Sequence, residues 1–318
     1  MTSQPAAPVD RLAIGAALVT VVLWASAFVG IRAAAADLSP GSLAFGRLLI
    51  GTIALGALVA VRPWQRPGAR DLVLIAASGL VWFALYNVTL NEAERNVDAG
   101  TAAMLVNTGP IFIALLAGAF LGEGLPARLL AGCVVAFAGT AIIGIATSAE
   151  PVAGGDATWG ILLCVVAAFA YAAGVTLQKP ALRRVPALQL TWLACLTGTV
   201  ACLPFAPGLV GELGTAEPAS ITWLVYLGLF PTAIAFTTWA FALSRTQAGK
   251  LGSMTYLVPP VVILLGWLLL REVPTPLAIA GGALCIAGVV VARSTGRPWM
   301  RARRTGAADP QPEAAPRG

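Results

Sequence analysis

The sequence predicts an all-α membrane protein with ten transmembrane helices, arranged as two inverted repeats of five helices each. Three observations carry this prediction: the composition, a series of apolar stretches of membrane-spanning length, and a motif that recurs at a fixed distance. Of the 318 residues, 58% are hydrophobic and only 11% are charged, and the mean hydropathy is +0.84. Soluble domains carry about a quarter charged residues, so this chain cannot cover a water-exposed surface.

The apolar stretches each approach the roughly 20 residues with which a helix crosses a bilayer core. In lipid, every backbone N–H and C=O group must be paired within the protein, which favours helices. The stretches also lack the alternation of apolar and polar residues that is typical of a β-barrel. We therefore expect ten helices, numbered in chain order: Leu12–Ile31, Ser42–Val61, Leu72–Leu90, Gly100–Leu121, Leu129–Ala146, Trp159–Leu177, Leu188–Pro207, Ile221–Leu243, Leu251–Leu270 and Pro276–Ala292.

The distribution of charge predicts the orientation of these helices. With the N-terminus in the cytoplasm, 16 of the 20 Lys and Arg residues fall in cytoplasmic segments, which is the bias that sets membrane topology. Both termini are then cytoplasmic, in a multi-pass protein of the cell's inner (plasma) membrane. The net charge of +6 follows from this topology and does not indicate nucleic-acid binding. Residues 294–318, rich in Arg, Pro, Ala and Gly, are expected to form a disordered basic cytoplasmic tail.

One motif occurs twice, at a distance of 149 residues. This spacing relates the following pairs: Gly79 and Gly228, Pro110 and Pro259, and Glu123 and Glu272. It divides the chain into two repeats of five helices, 12–146 and 156–293. Because five is an odd number, the second repeat crosses the membrane in the opposite direction to the first. Inverted repeats of this kind are typical of carriers, whose site lies near the membrane midplane between the two repeats.

Three sequence features resemble a known family. Helix 1 contains Trp24-Ala-Ser-Ala-Phe28, helix 2 contains Arg47, and an Ala-Gly…Pro…Glu block occurs at 99–123 and again at 248–272. Through these features, residues 12–293 resemble the bacterial drug/metabolite transporters with tandem EamA domains. The resemblance implies a central cavity lined by helices 1, 3, 4, 6, 8 and 9, with helices 5 and 10 at the periphery. It also implies the export of small metabolites.

Polar and aromatic side chains within the spans are candidates for lining a substrate cavity. Polar groups cost free energy in lipid and therefore face the protein interior. They either line a cavity or form hydrogen bonds that hold helices together. The cavity candidates are Trp24, Trp82, Tyr86, Asn87, Asn91, Asn107, Tyr171, Trp239, Thr255 and Tyr256.

Two prolines and two glutamates mark helices 4 and 9. Pro110 and Pro259 lie within the spans, where a proline removes a backbone hydrogen bond and kinks the helix. The freed carbonyl groups either bind polar parts of a substrate or accompany a purely structural kink. Glu123 and Glu272 end the same helices. Because a carboxylate at a helix C-terminus is unfavourable to the helix dipole, we expect each glutamate to cap or gate against a neighbouring helix.

A charged pair is expected near one end of helices 2 and 3. Arg47 lies deep enough in helix 2 to require a partner, and Glu92, near the end of helix 3, is the candidate. The pair either anchors the two helices, or Glu92 is a protonatable coupling site or a counter-charge for a cationic substrate. The chain has no histidine, which excludes a histidine relay.

Several functional classes are excluded or disfavoured by motif. Gly249-Lys250 lacks the surrounding spacing of a phosphate-binding loop, and HExxH and GxSxG motifs do not occur. We therefore expect no enzyme activity, no cofactor and no metal. The prediction is a secondary transporter for an amino acid-like or drug-like small molecule, with efflux as the direction that the resemblance implies. A lipid flippase or a facilitative channel of the same fold is the alternative.

Small residues predict close helix packing in the bilayer. They recur four apart in helices 4, 5 and 10, a spacing that allows helices to approach closely. The pairs are Gly118 and Gly122, Gly132 and Ala136, and Gly281 and Cys285, with Gly288 close by. A homodimer through helices 5 and 10 is one expected use of these surfaces.

Overall fold

The computed structural model describes residues 10–97, 99–147, 156–270 and 275–294, and within them the regular structure is helical. We label the helices α1–α10. The first repeat comprises α1 (Arg11–Ala34), α2 (Pro40–Ala60), α3 (Ala69–Ala93), α4 (Ala99–Val106 and Gly109–Phe120) and α5 (Ala127–Thr147). The second comprises α6 (Ala157–Ala181), α7 (Ala187–Ala201 and Leu203–Leu213), α8 (Pro218–Arg245), α9 (Ala248–Gly252, Ser253–Leu257 and Val258–Leu270) and α10 (Pro276–Arg293).

The predicted all-α membrane fold is confirmed, with two departures from ten simple spans. Eight of the described helices are long and apolar enough to cross a membrane, and α7 is a ninth if its two parts, bent by 53°, form one span. In α4 the apolar stretch Met104–Phe120 is shorter, because the helix is interrupted before Gly109. Large apolar side chains such as Ile53, Phe120 and Val134 are more than half exposed, which suits a surface that faces hydrocarbon.

The helices begin where their sequences provide a cap. The Asp10 carboxylate accepts hydrogen bonds from the backbone N–H groups of Leu12 and Ala13, and Asp156 caps α6 in the same manner. Proline occupies the first turn of α2, α8 and α10, a position where its missing N–H costs no hydrogen bond.

Corresponding helices of the two repeats cross in antiparallel directions, as inverted repeats require. Where α2 crosses α7, the hydroxyls of Thr52 and Thr199 are 2.8 Å apart. The end of α2 leads to Gln65, which exchanges hydrogen bonds with Gln189 at the start of α7. At the other end, Gly41 faces Phe205. The pairs α5–α10 and α4–α9 are antiparallel as well.

A short π-helical segment interrupts both α3 and α8. The segments are Gly79–Leu85 and Gly228–Ile234, and their offset (228 − 79 = 149) equals that of the sequence repeat. In each segment the leading glycine contacts a helix of the opposite repeat. A Cβ on Gly79 would lie 2.5 Å from the Ala194 carbonyl in α7, and one on Gly228 would lie 2.6 Å from Ile50 in α2. The repeat in sequence is therefore also a repeat in backbone irregularity.

The small residues of α5 and α10 bring these two helices together within one chain. A Cβ on Gly132 would lie 2.3 Å from the Ala292 nitrogen, and a Cβ on Gly288 would lie 2.4 Å from the Ala136 nitrogen. These glycine surfaces are thus occupied inside the protomer, so any homodimer has to use other faces of the two helices.

The contacts define two ends of the helix bundle. The terminal end carries the start of α1 and the end of α8, joined by an ion pair of 3.0 Å between Asp10 and Arg245. A second ion pair there joins Arg184 to Asp71. The opposite end carries the α1–α2 connection, where Asp37 accepts hydrogen bonds from Ser220 and from the Glu217 backbone N–H, at 2.6 and 3.1 Å.

Asp37 predicts a pH-dependent contribution to stability. The Ser220 hydroxyl and the Glu217 N–H lower the pKa of Asp37 below that of a free aspartate. A lowered pKa means that the stabilisation is complete above about pH 4 and is lost as the pH falls further. We expect the wild type to melt at a higher temperature than Asp37→Asn at pH 7, and the difference to shrink towards pH 3. A difference that stays constant between these pH values would contradict this assignment.

Candidate functional site

A cavity lies between the two repeats, in the half of the bundle towards the opposite end. Its volume is about 80 Å³. Both repeats contribute to its wall. The lining residues are Trp24, Ala27, Phe28 and Ile31 from α1, Arg47 from α2, Trp82, Tyr86, Asn87 and Leu90 from α3, Val106 and Asn107 from α4, Tyr171 from α6, Phe236 from α8, and Thr255 and Val258 from α9.

An aromatic cluster, which we define as Trp24, Trp82, Tyr171, Phe236 and Trp239, fills the centre of the bundle. The Trp24 ring lies at the middle of the cluster, with ring centroids 5.1 to 6.1 Å from the other four. Such distances are typical of favourable aromatic contacts. Trp239 lies nearest the terminal end, six residues before the end of α8 at Arg245. The cluster therefore separates the cavity from the terminal end.

Arg47 is a buried cation in the cavity wall, with an exposed fraction of 4%. Its Nε donates to the Thr232 hydroxyl at 3.1 Å, and that hydroxyl in turn donates to the Leu227 carbonyl at 2.8 Å. Thr232 lies in the π-helical segment of α8, so the backbone irregularity positions the acceptor for Arg47. Glu94, which follows the end of α3, interacts electrostatically with Arg47.

Two oppositely charged side chains, Glu123 and Lys179, bind neighbouring helix ends of α4, α6, α8 and α9 at the terminal end. The Glu123 carboxylate accepts hydrogen bonds from the Ala248 and Gly249 N–H groups, at 2.8 and 3.2 Å, and so caps the start of α9. The Lys179 ammonium donates to carbonyl groups at the end of α8, including Leu243 at 2.5 Å. Each charge suits the helix end that it meets, and the two charges also attract each other. We call these four helix ends with Glu123 and Lys179 the terminal-end clasp.

Both α4 and α9 are interrupted near the cavity. Pro110 is the second residue of Gly109–Phe120, and Pro259 is the second residue of Val258–Leu270. Each proline thus lies in the first turn of an α-helical part, where its missing N–H costs no hydrogen bond. The interruptions place Asn107 and Thr255 at the cavity wall, where backbone outside regular helix is tolerated because it lines a cavity.

Comparison with known proteins decides the family. The EamA-like transporter family model matches residues 11–145 and again residues 158–294, one match for each repeat. The chain belongs to the EamA-like transporter family. The relationship that the sequence motifs suggested is therefore confirmed, and the protein is a multi-pass membrane transporter.

Relatives of this EamA-like transporter include named exporters. It is 40% identical to a probable terminal-alkyne amino-acid exporter of Streptantibioticus cattleyicolor, over 88% of this chain and 92% of the relative. It is 26% identical to a probable amino-acid metabolite efflux pump of Salmonella typhimurium, over 86% and 92% of the two chains. A crystal structure with 20% sequence identity shares the fold, with a TM-score of 0.70 over 88% of this chain and 96% of that one.

Most residues predicted for the cavity of this EamA-like transporter do lie in its wall, and three do not. Asn91 instead donates to the Pro40 carbonyl at 3.0 Å and ties α3 to α2. Trp239 packs beneath Trp24, one helical turn deeper than Phe236. Tyr256 is fully buried in the hydrophobic core and lies outside the cavity wall. The seven predicted residues found in the wall are Trp24, Trp82, Tyr86, Asn87, Asn107, Tyr171 and Thr255.

The partner expected for Arg47 is Glu92, whereas Glu94 is the acidic residue whose charge acts on Arg47 in the structure. The Glu92 backbone carbonyl accepts a hydrogen bond from the Asn96 side chain. A role of the Glu92 carboxylate in coupling or in binding a cationic substrate stays a prediction. Glu272 lies outside the described residues, and its capping or gating role stays a prediction.

Sequence reasoning missed Thr232 and Lys179. Thr232 lies in an apolar stretch. Two sequence signals mark it: it directly follows Pro231, and it lies four residues after Gly228, the repeat counterpart of Gly79. Lys179 is one of the basic residues that the charge distribution counts as cytoplasmic, and its position within an apolar helix, directly before Pro180, is the sequence signal for a further role.

Proposed function

We propose that this EamA-like transporter is a secondary carrier that exports a small amino acid-like or amphipathic metabolite by alternating access between its two inverted repeats. The observation that carries the proposal is the cavity at the crossing of the repeats, walled by both of them. The names of the two exporter relatives favour export and amino acid-like substrates. The absence of nucleotide-binding and hydrolase motifs from the sequence favours a carrier without enzyme activity.

The arrangement of the bundle supports alternating access. The aromatic cluster and the terminal-end clasp close one half of the molecule, and the cavity occupies the other half. With both termini in the cytoplasm, as the distribution of Lys and Arg predicts, this is a conformation whose cavity lies on the outer side of an inner (plasma) membrane. Because the repeats are inverted, exchanging their conformations would close the opposite end and open the terminal end. The interrupted helices α4 and α9 are the elements best suited to rearrange.

Counterflow in proteoliposomes tests the proposed function without any assumption about the driving force. Vesicles are loaded with an unlabelled compound at high concentration and receive a trace of the labelled compound outside. The panel consists of norvaline, its terminal-alkyne analogue 2-aminopent-4-ynoic acid, phenylalanine and threonine, together with the amide of each. We expect transient accumulation above equilibrium for at least one amino acid.

Each other outcome identifies a different mechanism. Equilibration without an overshoot would indicate a facilitative channel. Failure of the entire panel, with movement of a labelled phospholipid between leaflets instead, would indicate a flippase. Protein-free vesicles provide the control for passive leakage.

A further inference from the structure

Among the described residues that line the cavity, Arg47 is the one that carries a formal charge. The other polar groups of the wall are neutral: the amides, hydroxyls and indole N–H groups of Asn87, Asn107, Thr255, two tyrosines and two tryptophans. Arg47 therefore makes the cavity wall attractive to an anion, in competition with the nearby charge of Glu94. A buried guanidinium favours an anionic ligand, because an ion in a low-dielectric site is costly unless it is paired.

Arg47 is also held in a defined geometry. The Thr232 hydroxyl uses its single proton on the Leu227 carbonyl, so its oxygen is oriented to accept from Arg47 Nε. The α2–α8 crossing is tight at this point, since a Cβ on Gly51 would lie 2.8 Å from the Thr232 methyl group. The bond to Thr232 uses one of the five N–H donors of the guanidinium. The planar guanidinium matches the two oxygens of a carboxylate.

We propose that Arg47 is the substrate anchor and that it binds the carboxylate of the exported molecule. The substrate class is then small monocarboxylic acids with an apolar or weakly polar side chain, amino acids among them. This inference rests on the proposed function and deepens it. A single cation matches a single negative charge, which favours a carboxylate over a phosphate. The aromatic cluster at the base of the cavity receives the side chain of the substrate.

Glu94 is expected to weaken the binding of a substrate carboxylate to Arg47. In the structure it supplies negative charge near Arg47, and an entering carboxylate competes with it for the guanidinium. Removing the charge of Glu94 removes this competitor. Glu94→Gln is therefore expected to bind carboxylate ligands several-fold more tightly than the wild type.

Direct binding to the purified full-length protein in lipid nanodiscs tests the anchor. The affinities of norvaline, norvalinamide and N-acetylnorvaline are measured by calorimetry, with the matching phenylalanine and threonine pairs in parallel. We expect norvaline and N-acetylnorvaline, which have a free carboxylate, to bind at least about 10-fold more tightly than norvalinamide. This factor corresponds to a hydrogen bond between charged groups. In Arg47→Gln this ratio is expected to fall to about one. Arg47→Lys, which keeps the charge, retains part of the preference.

The ratio of acid to amide affinity is measured within one preparation, so a lower yield of folded variant does not affect it. Thr232→Val serves as a second variant, because it leaves Arg47 in place and removes only its oriented acceptor. It is expected to reduce the ratio without abolishing it.

Three results of the binding measurements would overturn the proposal. They are equal affinity of acid and amide for the wild type, an unchanged ratio in Arg47→Gln, and displacement of N-acetylnorvaline by inorganic phosphate at lower concentration than by norvaline. Counterflow of the amides at the rates of the acids would overturn the anchor while leaving the carrier function intact. Failure of all compounds in both binding and counterflow would overturn both.

Discussion

Replacing Gly288 by alanine is expected to lower the free energy of unfolding by about 3 kcal/mol, the upper end for adding one carbon to a packed interior. The added Cβ would lie 2.4 Å from the Ala136 nitrogen and 2.7 Å from the Ala136 Cα. These are backbone atoms of α5 and cannot rotate away, so α5 and α10 have to separate. The measurement is unfolding of the purified protein in mixed micelles with increasing sodium dodecyl sulfate, followed by circular dichroism.

Gly282→Ala provides the matched control on the same helix. A Cβ on Gly282 would lie 3.4 Å from the Pro260 side chain, an ordinary contact distance. Alanine also favours helix over glycine by up to about 1 kcal/mol, so this variant is expected to be unchanged or slightly more stable. If Gly288→Ala left the stability of the monomer unchanged and instead altered the oligomeric mass of the purified protein, the glycine surface would belong to an interface between chains.

Removing the Glu123 side chain is expected to loosen the terminal-end clasp. In Glu123→Ala, the Ala248 and Gly249 N–H groups lose their carboxylate acceptors, and Lys179 loses a nearby opposite charge. A hydrogen bond to a charged group contributes about 1.5 kcal/mol at the lower end of the range, which suits a partly exposed glutamate. Hydrogen exchange of the amides at the start of α9 should therefore become about 10-fold faster, as measured by mass spectrometry of the protein in nanodiscs.

Glu212→Ala is the control at the opposite end of the bundle. Glu212 accepts a hydrogen bond of 2.9 Å from the Ser39 N–H, so it also caps a neighbouring helix, but far from the clasp. Its removal should speed exchange around the start of α2 and leave α9 unaffected. Equal effects of both variants at both ends would show that Glu123 acts through general stability and is not specific to the clasp.

The features that depend on periodicity and repetition were predictable from sequence. Lipid forces each apolar stretch to form its own helical hydrogen bonds, so ten stretches predict ten helices. The spacing that relates Pro110 to Pro259 predicts two equivalent and inverted halves, since an odd number of helices reverses direction. In α4 and α9 the prolines indicate an irregularity, and the structure shows that each of them lies in the first turn of an α-helical part.

The sequence largely predicted which face of a helix points towards the cavity. It did not predict how far along the helix axis from the cavity each residue lies. Asn91 follows Asn87 by one turn on the same stripe, yet at that height the start of α2 covers α3 and takes the amide as a hydrogen-bond donor. Trp239 likewise follows Phe236 on one face, one turn below the cavity. Periodicity specifies a direction around the helix axis, whereas depth depends on where other helices cross.

Partners between distant helices were decided by the tertiary structure alone. Sequence indicated that Arg47 requires a partner, and proximity to the end of helix 3 suggested Glu92. The choice of Thr232 and Glu94 instead depends on the rotation of α3 and α8 about their axes and on the π-helical segment that sets the position of Thr232. By itself the sequence determined the family, the helices and their inverted repetition, because these follow from local hydrophobicity and spacing. Only the tertiary structure decided which charges meet, because crossing positions and helix rotations arise from packing across the whole bundle.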